Sequence, residues 1–200
     1  MVIIQQKKIL AVEGDDEINF FEALFRYLGI TNVEIYQVGG KDQFKNKLPA
    51  LVRTTGFLVN VETFAVIRDA NGDAKAAFNS IKDILKKQNL NPPDRVNKFS
   101  ESVLKIGVFI MPGRSEEGML EDLCLSTVKD NPIMQCVDDY INCINKLGEY
   151  PKNLAKTKTQ SFLAAMPKIA KSVGLGAQMG YWNFDSEVLV ELKLFIENFR

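Results

Sequence analysis

The segment ILAVEGDDEINFFEALFRYLG, residues 9–29, leaves a chain few folds to choose from. The apolar run Ile9 to Val12 ends at Glu13. After GDDE, Ile18, Phe21, Phe25 and Leu28 recur at helical spacing until Gly29, which suits a C-cap. An unalternated apolar strand is covered on both faces, and one that feeds straight into a helix reads as half of a parallel β-α-β unit.

The pattern repeats along the chain. VEIYQV (33–38) alternates as a second strand, Gly39-Gly40 turns, and Phe44, Leu48 and Leu51 suit a second helix. Phe64 to Ile67 forms a third strand, ending at Asp69. After ANGD, Ala74, Ala77, Phe78, Ile81 and Leu85 line one face of a helix whose exposed side carries Lys82, Lys86 and Lys87. Gln88 to Arg95, with Pro92 and Pro93, is a linker. LKIGVFIM (104–111) is the most apolar strand, Pro112-Gly113 closes it, and a helix starts near Ser115 with Met119, Leu120 and Leu123 inward. From Pro132 the periodicity is helical: one helix to about Leu147, another from about Lys152, a last one from Ser186 to Phe199. The expectation is an α/β fold, a mostly parallel central sheet flanked by helices. Residues 1–130 would form the core, and 131–200 a helical C-terminal part packed on it.

Two hundred residues at 46% hydrophobic content suit one sizeable core. Lysine plus arginine equals aspartate plus glutamate at 25 each, so any nucleic-acid contact must come from local patches. No segment reaches the roughly 18 apolar residues of a membrane span, and no leader pattern stands at the start, so a soluble cytoplasmic protein is expected. Cys124, Cys136 and Cys143 lack metal-knuckle spacing and read as buried free thiols. There is no histidine, which removes Ser-His-Asp and Cys-His catalysis and HExxH zinc sites together. Chemistry here rests on carboxylates, lysines, tyrosines or a metal-activated water.

Ligands bind open parallel sheets beyond the carboxyl ends of the strands, and three acidic clusters fall at such ends. They are Glu13 with Asp16 and Glu17; Asp69, Asn71 and Asp73; and Glu116, Glu117, Glu121 and Asp122. Each alone is explained as a favourable helix N-terminus. Carboxylates converging from several strands raise one another's pKa unless a divalent cation neutralises them, and hard oxygen donors suit magnesium or manganese. DANGD is not a calcium hand, since Ala74 stands where glycine is needed and Ser80 where the closing glutamate would be. A haloacid-dehalogenase-like phosphatase also spaces two aspartates after a strand, and stays an alternative although Asn71 replaces the second. Gly107 to Ser115 is no Walker A loop, and GLGAQMG follows no strand, so no nucleotide cofactor is implied.

Between Glu149 and Asp185 no acidic residue occurs, yet Lys152, Lys156, Lys158, Lys168 and Lys171 do. The stretch is either a solvated helix face or a phosphate-holding side of the acidic edge, with Lys156 and Lys158 best placed to reach it. Tyr181 and Trp182 serve packing of the last helix or base stacking.

EGDDE after one strand, DANGD after a later one and GMLEDL after another resemble the Toprim-like domain of the overcoming-lysogenization-defect (OLD) nucleases. They resemble more closely a family of small stand-alone Toprim-like proteins of uncharacterised function. GGKD (39–42) and KTKTQSFLAA are similar to that small family. The resemblance puts the Toprim glutamate on Glu13 and the spaced acid pair on Asp69 and Asn71. The second acid of the nuclease-like variants falls on Glu17, and their later acidic pair on Glu121 and Asp122. It implies a Toprim-like fold and magnesium- or manganese-dependent phosphodiester hydrolysis or transfer on DNA or RNA. Glu13, Asp69 and Asn71 would hold one ion, with Asp73 a possible substitute ligand, and Glu17 with Glu121 or Asp122 a second. Lys158 would offset transition-state charge. Asn71 removes one formal charge from this pattern, which leaves open a non-catalytic, regulatory binding module. The ATPase domain of the larger nucleases does not occur in these residues, which implies a partner protein.

Overall fold

The computed structural model describes residues 3–40, 43–113, 117–148 and 150–200. Among them, strands β1 (Lys8–Val12), β2 (Val33–Gln37), β3 (Thr63–Asp69), β4 (Lys98–Phe99) and β5 (Lys105–Met111) form one sheet in the order β2-β1-β3-β5-β4. All neighbours run parallel except β4, which is antiparallel to β5. The helices are α1 (Asp15–Leu28), α2 (Phe44–Val52), α3 (Phe57–Asn60), α4 (Ala74–Lys86), α5 (Leu120–Thr127), α6 (Pro132–Lys146), α7 (Leu154–Ala164), α8 (Val173–Gln178) and α9 (Val190–Ile196). The mostly parallel α/β architecture expected from the apolar runs is the one observed.

Alternation along each central strand divides the core between the two faces of the sheet. Leu10, Val12, Ala65, Ile67, Phe109 and Met111 point to one face, where α1 and α5 to α9 cover them. Ile9, Ala11, Phe64, Val66, Val108 and Ile110 point to the other, against α2, α3 and α4. Helix α1 buries Phe20, Phe21 and Leu24 completely, each such side chain contributing on the order of 1.5–3 kcal/mol. It ends at Gly29 in the left-handed conformation, φ 66°, as a C-cap glycine should. Phe162, Trp182 and Phe199 join the cluster of Phe20 and Phe109, so residues beyond 130 share the hydrophobic core of the sheet.

Several local expectations are corrected. Strand β3 ends at Asp69 as expected but starts one residue earlier, at Thr63, which pairs with Lys105 of β5. The two-residue β4 and the short helices α3 and α8, of four and six residues, are too short to register as a period. The helix expected near Ser115 starts at Leu120; Arg114, Ser115 and Glu116 lie outside the described residues, as do Asp42 and Glu149. The last helix is interrupted, with 3-10 turns at Glu187–Leu189 and Glu197–Phe199 flanking α9. Cys124 is buried, but Cys136 and Cys143 sit on the outer side of α6 and are exposed. No helix among the described residues is long and apolar enough to cross a membrane.

Candidate functional site

The parallel register brings the ends of β1, β3 and β5 to one edge. Asp69 closes β3 opposite Met111, the last residue of β5, and Glu13 follows directly on β1. Helices α1 and α5 start at this edge with acidic first turns, Asp15 to Glu17 and Glu121 with Asp122. Glu13, Asp16, Glu17, Asp69 and Glu121 line one cavity of about 490 Å³, with Lys47 and Lys156 on its rim. Carboxylates remote in sequence therefore converge here.

Four of these acids are held by backbone N–H groups. The Asp69 N–H donates to Glu13 Oε1 at 3.2 Å, the Leu120 N–H to Asp69 Oδ1 at 3.2 Å, and the Gly14 N–H to Glu17 Oε2 at 2.9 Å. Asp16 Oδ1 accepts the N–H of Gly174 at 3.0 Å. Gly174 has no alternative: a Cβ there would stand 2.4 Å from the Asp16 carbonyl oxygen and 2.7 Å from its Cα. This close contact locks α8 onto the first turn of α1, so Gly174, and Gly176 against Leu163 and Trp182, serve helix packing.

Electrostatically the cavity is strained. Burial, and then the neighbouring Glu17, Glu13 and Glu121, push the Asp69 carboxyl well above the usual range, against the opposing Leu120 N–H. Burial raises Glu13, partly offset by the Asp69 N–H, Arg68 and Lys156. Glu17 is raised by burial and then by Glu13 and Asp16. Glu121 is raised by burial, with Lys156 opposing at 3.9 Å. Beneath them lies the Cys124 thiol, pushed up by its burial and then by the acids above it. Like charges sharing a site of low polarity disfavour ionisation in this way.

Of the residues singled out from the sequence, Glu13, Glu17, Asp69 and Glu121 share this cavity. Asn71, Asp73, Asp122 and Lys158 do not line it. Asn71 adopts φ 54°, pairs its backbone with Gly118 just before α5, and lines two neighbouring cavities instead of this one. The Asp73 carboxylate caps α4, accepting the Ala76 N–H at 2.8 Å. Asp122 caps α5 through the Met119 N–H at 2.9 Å and lines a neighbouring cavity of about 650 Å³ with Asn71, Glu117 and Lys152. Lys158 pairs with Asp138 at 2.6 Å. Two helical positions diverge by about 200°, so Lys156 and Lys158 cannot face the same way; Asn153, which caps α7 through the Lys156 N–H, sets the phase that sends Lys156 to the acids. Trp182 stacks on Phe162 at 5.3 Å and donates to the Val173 carbonyl at 2.8 Å, so it serves packing.

One residue escaped the sequence reading. Arg68, 3% exposed, stands beside Glu13 with Nε 3.7 Å from Oε1, and its guanidinium lies over the Phe44 ring at 5.3 Å. An arginine closing the otherwise apolar run TFAVI was the available signal.

No curated protein matches the chain. Among solved structures, it is similar to the C-terminal region of the OLD protein of Xanthomonas campestris pv. campestris, at 15% identity and a TM-score of 0.50, over 98% of this chain and 96% of that one. It is likewise similar to the C-terminal region of the Burkholderia pseudomallei OLD protein, at 16% identity and a TM-score of 0.50, over 98% and 100%. At such identities the likeness is one of fold, and the fold is the Toprim-like one that the order of acidic motifs implies. The family model described as "Protein of unknown function (DUF3226)" matches residues 7–200, and the chain belongs to that family.

Proposed function

We propose that this protein carries out metal-dependent phosphodiester cleavage or transfer on nucleic acid at the acidic cavity. The observation that carries the reading is the convergence of Glu13, Glu17, Asp69 and Glu121 from three strand ends, with raised pKa values that a bound cation would relieve. The OLD-like fold supports it. The all-oxygen donor set fits magnesium or manganese in its chemistry. It is not a preformed cage, since among the described residues no three such side chains already stand as a ligand group. Glu13, Glu17, Asp69 and Glu121 would hold the metal, which supplies an activated water and charge neutralisation on the phosphoryl oxygens.

The chain's own contributions follow from the geometry. The Asp69, Leu120 and Gly14 N–H groups orient three carboxylates before any ligand arrives. Arg68 favours the ionised form of Glu13. Lys156, placed on the rim, would meet a phosphate from the solvent side.

The rival is a binding module without chemistry, favoured by the absence of a ready ligand group and by Asn71 standing outside the cavity. Manganese titration of the wild type and of Glu13→Gln, with DNA and RNA cleavage measured in parallel, separates the two. Metal-dependent cleavage lost in Glu13→Gln is expected; metal binding without cleavage of either polymer would favour the rival, and no metal binding would remove the metal reading.

A further inference from the structure

On the opposite face of β3 from Asp69 lies a second cavity, of about 390 Å³, lined by Lys45, Arg68, Asn71, Asp73 and the small residues Ala76 and Ser80 of α4. Its central feature is the Arg68 guanidinium. The side chain is 4% exposed, and its Nε is buried without a hydrogen-bond partner among the described residues. The nearest acid, Glu13 Oε1 at 3.7 Å, is beyond hydrogen-bond length and belongs to the acidic cavity. A buried guanidinium with an unmet donor is unfavourable unless an oxyanion neutralises it.

The surroundings specify which. Lys45 adds a second cation, and α4, 13 residues long, directs its N-terminus at the cavity, the end at which anions are stabilised. The lining acid, Asp73, has Oδ1 engaged with the Ala76 N–H. Two cations against one acid, a forked donor and room for more than a carboxylate match a tetrahedral dianion. We infer that this cavity seats a phosphate group, held by Arg68 and Lys45 at the start of α4. Because Arg68 also touches Glu13, the seat adjoins the acidic cavity. Its source as a backbone phosphate of nucleic acid rests on the function proposed above; a free phosphorylated compound offers the same chemistry, and the site itself does not depend on that reading.

The test is a metal-free titration of the isotope-labelled full chain with pyrophosphate, followed by amide shifts. Shifts at Asn71 to Asp73 and at Ala76 to Ser80 are expected. Lys45→Gln should weaken binding about tenfold or more, the loss of one charge-assisted contact. Ala76→Trp, at an exposed helical position whose folding circular dichroism checks, should block it. Glu13→Gln should tighten it by releasing Arg68, which a purely structural arginine would not produce. Displacement of pyrophosphate by an oligonucleotide without terminal phosphates identifies a backbone phosphate as the source, and displacement by a mononucleotide alone a free phosphorylated ligand; either supports the seat. No shifts at millimolar pyrophosphate, shifts confined to Lys152 and Lys156, unchanged affinity in both Lys45→Gln and Ala76→Trp, or displacement by neither competitor would overturn it. Cleavage activity is not read, so a failed nuclease reading leaves this result standing.

Discussion

Replacing Arg68 by methionine keeps most of the side-chain volume and removes the cation buried beside Glu13. The Nε to Oε1 distance of 3.7 Å gives an attraction of about 4–5 kcal/mol at an effective dielectric constant near 20, and about 1 kcal/mol in water. With the arginine side chain 4% and the glutamate 15% exposed, the upper figure applies before desolvation is counted, and desolvation of the pair offsets part of it. A double-mutant cycle of Arg68→Met and Glu13→Gln isolates the remainder, because glutamine still accepts the Asp69 N–H while losing the charge. Urea unfolding at pH 8 without divalent ions should give a coupling of about 1–3 kcal/mol. At pH 4 the coupling should collapse, since burial raises the Glu13 pKa and the carboxyl is then protonated in the folded state. Coupling below about 0.5 kcal/mol at pH 8, the range of independent sites, would show that Arg68 does not act through Glu13.

Asp69→Asn tests the repulsion among the acids. The unfolded chain releases the Asp69 proton near pH 4, whereas the folded protein holds it to higher pH. Between those values the folded state binds more protons, so wild-type stability falls as pH rises through that window. The variant should therefore be more stable than wild type at pH 8, by more than the ~0.5 kcal/mol of an ordinary surface change. The difference should vanish below pH 4 and shrink when manganese is added; an unchanged or lower stability at pH 8 contradicts the charge argument. Lys156→Gln should slow cleavage about tenfold or more, short of the loss on removing a preorganised oxyanion donor, while Lys158→Gln, whose partner is Asp138, should leave cleavage unchanged; the reverse pattern would restore Lys158 to the site. Gly174→Ala should destabilise by about 1–3 kcal/mol or more in a thermal melt, because the atoms 2.4 Å and 2.7 Å away are backbone and cannot rotate aside. A thiol reagent should modify Cys136 and Cys143 in the native state and Cys124 only on unfolding.

The sheet and its long helices were legible because burial on both faces imprints an unbroken apolar run, and burial on one face a 3.6-residue period. Glu13, Glu17, Asp69 and Glu121 were legible for a related reason: parallel connectivity sends every strand's end to the same edge. What the sequence conceals is direction within that edge. Asn71 and Asp73 lie only two and four residues beyond Asp69, yet a left-handed residue and a helix cap carry them into neighbouring cavities. The choice between Lys156 and Lys158 turned on helical phase, which the Asn153 cap fixes and composition does not reveal. Arg68 was hidden by its company, a charge at the end of an apolar strand whose partner lies 55 positions away, across a strand pairing, in Glu13.

The bond between Asp16 and the Gly174 N–H joins residues 158 positions apart, and this has a consequence for the order in which the chain can be completed. Synthesis delivers the acidic turn of α1 158 residues before its clamp. Closing so long a loop is slow compared with forming local helices. The acidic edge is thus made well before it reaches its final shape, so a nascent chain carries its repelling carboxylates without the contact that fixes them.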